Sequence, residues 1–352
     1  MSRARTFADL ATASEAGSLA QANIVTNGDM SVAQRGTSST STGFQTCDRY
    51  SIGVGQISVT QSQQSLTSGS PYESGFNNFI RMANTSTSSN AGSYVQLYQP
   101  VEAQHIANSG WNFKSSSSFV TLSFWARSSL AGTYYARAST ADGTAYYRIK
   151  AFALSADTWT KVTFTIEGNS NLTINDDNGL GLEVVIVPHY GTTFTGSNAS
   201  TTAWFALVSN DYFPDFAQDW GNTSSATFDV TGIQLELGQV ATPYKHESFV
   251  DNLIRCRRYF QQYDATNAYT RFALGVAYDG STIAAPLNLP VQMRAAPTFG
   301  SSGNFDSFPD TIDLDTMSVQ HATADMVEFR AVDSGNGLTT NRPYIIRSDN
   351  DT

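Results

Sequence analysis

The chain has 352 residues, a formal net charge of −10 and 14% charged residues, whereas Ser and Thr together supply about a quarter of it. Only four residues are Lys, which excludes nucleic-acid binding through clustered basic side chains. The 40% of hydrophobic residues, rich in aromatics, can bury a core and exclude a disordered chain. A composition rich in hydroxyls and aromatics but poor in charge is typical of antiparallel β-structure.

Two further features limit the class of protein. Cys47 and Cys256 lie far apart in the sequence, which indicates neither a disulfide framework nor a zinc site; two separate buried thiols are favoured over a pairing of the two. The longest strongly apolar run covers residues 184–187 only, so no membrane insertion is expected. No leader peptide is evident, because Asp9 interrupts the apolar residues that follow Arg5.

Residues 1–22 differ in pattern from the rest of the chain. Thr6 and Asp9 have the spacing of a capping box, which predicts a short helix over residues 7–13. A segment this small has no core of its own, so it is either a frayed tail or an anchor that orders against a partner. In the second interpretation Arg5, Phe7 and Leu10 are the candidate anchor residues.

Residues 23–246 have the pattern of many short strands separated by turns. Alternating apolar and polar residues predict strands over residues 93–101, 120–126, 132–138, 146–154, 162–166, 180–187, 203–208 and 228–235. A shift of the alternation at Gly232 predicts a bulge or a turn. Regular short strands without intervening helices favour a β-sandwich, most simply a jelly roll.

One helix is predicted over residues 247–264, because Ser248 and Asp251 form a second capping box. Apolar residues then recur with a/d spacing over two heptads; this seam consists of Phe249, Leu253, Cys256, Phe260 and Tyr263. Two heptads are too short for an isolated coiled coil. The helix therefore packs either on its own sheet or against two further copies around a threefold axis.

The β-pattern resumes over residues 265–352 and predicts a second, smaller β-domain. A domain of this size buries a small fraction of its surface and would gain stability from oligomerisation.

Two segments carry a resemblance to a known family. The first runs from Asn23 to Thr37 (NIVTNGDMSVAQRGT) and is followed by CDRY at 47–50; the second runs from Gly232 to Glu247 (GIQLELGQVATPYKHE) and reaches CRRYF at 256–260. Together with PVQMRAAPT at 290–298, they resemble a widespread family of bacteriophage virion proteins, described as tail fibres or minor structural proteins. The sheet between the two segments is similar to the jelly-roll carbohydrate-binding modules of such proteins. From the residues alone, Asn27, Gly28 and Gly232 are turn and strand-end features that define the fold.

No cofactor is predicted. The four histidines lack metal-binding spacing such as H-E-x-x-H. Residues 175–179 (NDDNG) resemble part of a calcium loop but lack its bidentate Glu, so a plain turn is favoured. The presence of a structural calcium ion stays an open alternative, because the family resemblance implies a type of carbohydrate-binding module that often holds one.

Sugar binding needs aromatic faces for stacking and polar side chains for hydrogen bonds, and residues 210–222 offer both. The candidate glycan-binding residues are Tyr212, Phe213, Asp215, Phe216, Asp219 and Trp220, with Trp111 as a second position. The same rings could instead fill the ends of the sandwich or a subunit interface. A glycosidase needs a defined pair of carboxylates, and the spacing singles out none, so no enzymatic activity is predicted.

The sequence therefore predicts an all-β protein: a jelly-roll sandwich, one short helix and a smaller β-domain. The resemblance implies a virion structural protein, a homotrimeric tail fibre on the virion exterior that attaches to host-surface glycan through weak sites made strong by multivalency. Residues 1–22 would bind a tail adaptor, portal or capsid protein. Two alternatives stay open: a capsid-surface head fibre or decoration protein with a structural role, and a polysaccharide-degrading tail enzyme.

Overall fold

The structure is a computed structural model, and it describes residues 23–349. Over this range the chain is mainly β-structure arranged as three antiparallel sheets, which confirms the all-β prediction. The chain divides into two compact units, the first ending at Leu253 and the second beginning at Ile254. The predicted N-terminal helix, with the anchor candidates Arg5, Phe7 and Leu10, lies outside the described residues.

The first unit is a sandwich of two six-stranded sheets. Sheet 1 consists, in spatial order, of β1 (Ser38–Ser39), β3 (Val59–Ser65), β4 (Asn78–Asn84), β12 (Thr227–Leu237), β6 (Phe119–Ser128) and β9 (Thr160–Glu167). Sheet 2 consists of β11 (Phe205–Ala206), β8 (Tyr146–Leu154), β7 (Gly132–Thr140), β10 (Leu180–Tyr190), β5 (Tyr94–Glu102) and β2 (Ser51–Gly55). Two short helices, α1 (Ser70–Glu73) and α2 (Ala103–Ala107), lie in the connections.

The core lies between the two sheets and follows from the alternation of side chains along each strand. In β5 the buried residues Val95, Leu97 and Val101 face the core, whereas Tyr94 and Tyr98 are half-buried on the opposite face. The predicted strand at 203–208 is reduced to the two residues of β11. The strands predicted within β5 to β10 and β12 are all present, with ends that differ from the prediction by up to three residues.

The predicted bulge at Gly232 is confirmed. The register of β12 against β6 shifts between Thr231 and Gln234, and Gly232 has a φ of +64°. A Cβ at this position would lie 2.7 Å from the ring of Phe76. Glycine is therefore needed here both for its left-handed backbone and for the space beside the ring.

A hydrogen-bonded contact, called here the terminal clasp, joins the start of the described chain to the end of the first unit. The Asn23 side chain donates to the Ile233 carbonyl at 2.8 Å, and the Ile233 N–H donates to the Gly28 carbonyl at 2.9 Å. The Asn27 N–H donates to the Asn252 side-chain carbonyl at 3.1 Å. The two segments that carry the family resemblance are thus bonded to each other, in agreement with their interpretation as fold-defining features.

The predicted capping box of the third helix, α3 (Phe249–Arg257), is present. The Ser248 hydroxyl accepts the Asp251 N–H at 3.2 Å and donates to the Asp251 carboxylate at 2.7 Å. The predicted length of 247–264 is wrong: the amides of Tyr259 and Phe260 both donate to the Cys256 carbonyl, which closes the last turn.

The heptad seam is therefore shorter than predicted. Phe260 and Tyr263 lie beyond the helix, so a two-heptad stripe cannot form on one helical face. Within α3, Phe249 is 57% exposed, Leu253 is half-buried and Cys256 is fully buried. Both Cys47 and Cys256 are buried, as predicted, and no disulfide joins them.

The second unit contains sheet 3, a seven-stranded antiparallel sheet. Its spatial order is β16 (Asp313–Leu314), β15 (Phe305–Phe308), β19 (Pro343–Ser348), β13 (Arg271–Ala277), β14 (Thr282–Asn288), β18 (Met326–Val332) and β17 (Thr316–Ala322). One face packs on a small core that includes Ile283, Phe329 and Tyr344. Among residues 23–349, no helix has the length and apolar character needed to cross a membrane.

Candidate functional site

Three of the predicted glycan-binding residues are core residues. Phe213 and Trp220 are 0% exposed and Trp111 is 3% exposed. The indole N–H of Trp220 donates to the Thr227 carbonyl at 3.3 Å, and that of Trp111 donates to the Ser118 carbonyl at 3.2 Å. A ring enclosed in this way offers no face to a sugar, so these three predictions are wrong. Trp111 and Trp220 belong to the core of the sandwich, and Phe213 belongs to a separate buried cluster on the outer face of sheet 2.

The remaining loop candidates lie at the surface, and the rings of Tyr212 and Phe216 pack against the buried cluster that contains Phe213. Tyr212 and Phe216 are half-buried, and the ring of Phe216 packs edge-on against Tyr135 of sheet 2 at 4.8 Å between centroids. Asp215 accepts the Thr195 hydroxyl at 2.5 Å, and Asp219 accepts the Asn222 amide at 3.2 Å. The loop thus covers part of the outer face of sheet 2, and both exposed carboxylates have local partners.

The same outer face carries residues that the sequence analysis missed. Register places Tyr98 of β5 beside Val185 of β10, and Val185 beside Arg137 of β7. In the next row, Glu183 of β10 lies beside Ser139 of β7, and Ser139 lies beside Tyr147 of β8. We call Tyr98, Arg137, Glu183 and Tyr147 the sheet 2 strip.

Arg137 and Glu183 form the centre of the strip. The Arg137 side chain is 5% exposed and its Nη2 lies 3.2 Å from Glu183 Oε2. Its guanidinium carbon lies 4.9 Å from the centroid of the Tyr147 ring, 5.2 Å from that of Phe213 and 5.7 Å from that of Tyr212, so three rings surround the cation. The Nε and Nη1 atoms of Arg137 are buried and make no hydrogen bond in the described structure.

Glu183 is the member of the pair that meets solvent, with 22% of its side chain exposed. Burial raises the pKa of its carboxyl group, and the nearby Arg137 guanidinium acts in the opposite direction. The carboxylate is held in place by an arginine that is itself almost completely buried among aromatic rings. Glu183 is therefore a fixed hydrogen-bond acceptor on an otherwise aromatic surface.

Tyr98 and Tyr147 are half-buried rings on opposite sides of this acceptor. They lie on strands that are three steps apart in sheet 2, which corresponds to about 14 Å at the usual spacing between strands. A fixed acceptor between two aromatic surfaces at this separation can bind an extended ligand that has both hydroxyl groups and apolar faces. The strip spans more than a single ring.

No metal site was found in the part of the chain that the structure describes, where no group of three or more His, Cys, Asp or Glu side chains could hold an ion. In the loop at residues 175–179, where the sequence favours a plain turn, Asp177 accepts the Gly179 N–H at 2.8 Å, and Asn175 donates its backbone N–H to Asp142 at 2.8 Å. These bonds account for the local structure of the turn.

His189 provides a pH-dependent prediction for the first unit. Its Nε2 lies 2.8 Å from the Ser93 hydroxyl, and burial lowers its pKa, with a smaller opposing effect from Asp219. The unfolded chain takes up this proton near pH 6.5, but the folded chain does so only at lower pH. The free energy of unfolding should therefore decrease as the pH falls below about 6.5.

The measurement is urea unfolding at pH 7.5 and pH 5.5. We expect the wild type to lose stability between these values, by at most about 1.4 kcal/mol for each pKa unit of the shift. A His189→Gln variant should lose less over the same interval, although it is less stable at pH 7.5. An equal loss in both proteins would show that another group is responsible.

Comparisons with known proteins give no family. No protein-family model matches the chain, and no curated protein matches it. Among solved structures, the N-terminal cellulose-binding domain of Cellulomonas fimi β-1,4-glucanase C is 12% identical, with 60% of this chain and 99% of that chain covered and a TM-score of 0.30. A CBM4 structure gives 9% identity, coverage of 60% and 98%, and a TM-score of 0.31.

An enzyme is matched with a similar sequence identity, coverage and TM-score. A cyclase from Fischerella sp. TAU is 9% identical, with 63% of this chain and all of that chain covered and a TM-score of 0.35. Carbohydrate-binding modules are thus among the structural neighbours, but similarities of this size carry no argument about function. What the site can do follows from the side chains of the sheet 2 strip.

Proposed function

We propose that this chain is a non-enzymatic virion structural protein whose first unit binds neutral host-surface glycans along the sheet 2 strip. The observation that carries the glycan-binding part is the arrangement of Tyr98 and Tyr147 on either side of the fixed Glu183 carboxylate. Sugar rings have apolar faces that pack on tyrosine and hydroxyl groups that donate to a carboxylate. Glu183 disfavours anionic ligands, which is why the proposal specifies neutral ones.

The test is binding to a panel of immobilised neutral oligosaccharides. Tyr98→Ala and Tyr147→Ala should each weaken binding by about tenfold, which corresponds to about 1.4 kcal/mol of lost ring contact. Tyr72→Ala is the matched control, because Tyr72 is a 46% exposed tyrosine of the same unit that lies outside the strip. Wild-type affinity in both strip variants, or an equal loss in the control, would contradict the proposal.

The homotrimer is supported by the exposed apolar face of α3. Phe249, Val250 and Ile254 are 57%, 62% and 47% exposed, which is unusual for three large apolar side chains on one short helix. Burying these side chains in a subunit interface would stabilise an oligomer. A trimer would carry three weak glycan sites and would bind a cell surface with increased avidity.

Light scattering tests this part of the proposal. We expect the full-length protein to have three times the mass of a single chain in solution. The Val250→Asp variant should have a mass closer to that of the monomer, because a charge in the interface would lose its hydration. Thr163→Asp on the exposed surface of β9 is the control and should leave the mass unchanged. A monomeric wild type would contradict the trimer.

The virion location and attachment through residues 1–22 rest on the resemblance of residues 23–37 and 232–260 to phage virion proteins. A reconstruction of the virion tests both. We expect residues 1–22 to contact a tail adaptor, portal or capsid protein. Contact with the major capsid protein over the head surface would favour a head fibre or decoration protein instead of a tail fibre.

A further inference from the structure

The outer face of sheet 1 carries a second polar cluster, far from the loop and strip of sheet 2. Arg81 of β4, Asp229 of β12 and Arg127 of β6 are direct neighbours across three adjacent strands. We call these three residues the arginine row. The row lies in the interior of sheet 1, between strands whose backbone groups are already paired.

Asp229 fixes both arginines. Its side chain is 1% exposed and accepts from Arg81 Nε and Nη2 at 2.8 and 2.9 Å, and from Arg127 Nε and Nη2 at 2.9 and 2.7 Å. Each guanidinium therefore has one edge bound to the carboxylate below it. The Nη1 group of each arginine takes no part in these bonds, and the two side chains are 31% and 26% exposed.

The local charge is positive in a chain whose net charge is −10. Arg81, Arg127 and the exposed Lys161 of β9 contribute three positive charges, against Asp229 and the nearby Asp157, which leaves +1. Guanidinium groups oriented in advance bind carboxylate and sulfate well, because their planar donors match these oxygens and little side-chain freedom is lost on binding.

Aromatic rings flank the row. The guanidinium carbon of Arg127 lies 4.8 Å from the centroid of the Trp159 ring, and Trp125, opposite Lys161 in the register, is half-buried on the same face. A peptide that adds as a strand needs a free sheet edge, which the interior strands β4, β12 and β6 do not offer. A ligand with its own apolar ring face fits this flat surface better.

We propose that the arginine row binds an acidic sugar unit, with its carboxylate or sulfate on the outward edges of Arg81 and Arg127 and its ring against Trp125. The ligand class differs from that of the sheet 2 strip, because the charge presented to the ligand is positive here and negative at Glu183. This site does not depend on the function proposed for the strip, since the two lie on opposite outer faces of the sandwich.

Binding by the full-length protein is measured with oligogalacturonate, its fully methyl-esterified form, a sulfated oligosaccharide, poly-glutamate and inorganic sulfate. We expect at least tenfold tighter binding of one anionic oligosaccharide than of the esterified chain, with affinity that falls as salt increases. A preference for oligogalacturonate assigns a carboxylate, and a preference for the sulfated chain assigns a sulfate. Equal binding of the esterified chain, tighter binding of poly-glutamate, or binding of inorganic sulfate alone would overturn the proposal.

Variants separate a specific site from general electrostatics. Arg127→Gln leaves Asp229 paired with Arg81 and should weaken binding of the preferred anionic sugar at least tenfold, and Trp125→Ala should weaken it severalfold. Lys161→Gln removes the same charge from the same face and should change it less than threefold. Tyr98→Ala should leave it unchanged. Equal effects of Arg127→Gln and Lys161→Gln, in proteins with wild-type unfolding curves, would overturn the proposal.

Discussion

Replacing Trp220 with alanine is expected to lower the free energy of unfolding of the first unit by about 3–5 kcal/mol. The ring is 0% exposed within the sandwich core, so its removal loses apolar burial and leaves a cavity. The backbone around it is also tied down, because the Asn84 side chain donates to the Trp220 carbonyl at 3.2 Å. Urea unfolding followed by tryptophan fluorescence measures this, since all five Trp residues belong to the first unit.

The control is again Tyr72→Ala, which truncates an exposed aromatic residue and should change stability by no more than about 0.5 kcal/mol.

The Trp220 variant also distinguishes two accounts of glycan binding. If Trp220→Ala kept wild-type stability and lost binding, the loop at 210–222 would be the site and the sheet 2 strip would not.

Substituting alanine for Gly28 should also destabilise the first unit strongly, by about 3 kcal/mol. An added Cβ would lie far inside contact distance of the Ile233 carbonyl oxygen, and also close to the Tyr244 hydroxyl at 3.0 Å. The main obstacle is backbone, which cannot move aside as a side-chain end can, so the added methyl group overpacks the clasp. The same strain would lengthen the bond from the Ile233 N–H to the Gly28 carbonyl.

Gly300→Ala provides the matched control, because nothing lies within 4 Å of the position where its Cβ would be. We expect its unfolding curve to stay within about 0.5 kcal/mol of the wild type. A Gly28→Ala protein as stable as the wild type would mean that the terminal clasp adds little to the first unit.

The strands could be predicted because their pattern is local. In β5 and β9, buried residues occur at every second position, and nearly all of them are apolar. The bulge at Gly232 was predictable for the same reason, since it interrupts an alternation that is otherwise regular. The end of α3 was not, because Phe260 and Tyr263 continue the a/d spacing although the helix ends at Arg257.

The site was harder to predict, since it depends on contacts between distant strands. The residue types in a loop do not reveal which aromatic rings point inwards, so the sequence predicts Trp220 and Phe213 as surface residues although both are buried. The sequence contains one indication of Glu183 and Arg137: each is the single Asp, Glu, Lys or Arg residue of its strand. A charge in such a position must find a partner, but the sequence does not say which strand supplies it.

The position of β12 has a consequence for how the protein is made. It is the last strand of sheet 1 along the chain, yet it lies between β4 and β6 in the middle of that sheet. During translation, β4 and β6 leave the ribosome with their facing backbone edges unpaired until residues 227–237 arrive, and the clasp at Asn252 follows later still. A nascent chain that stops short of β12 lacks its central strand, so only a fully translated first unit can complete the sandwich.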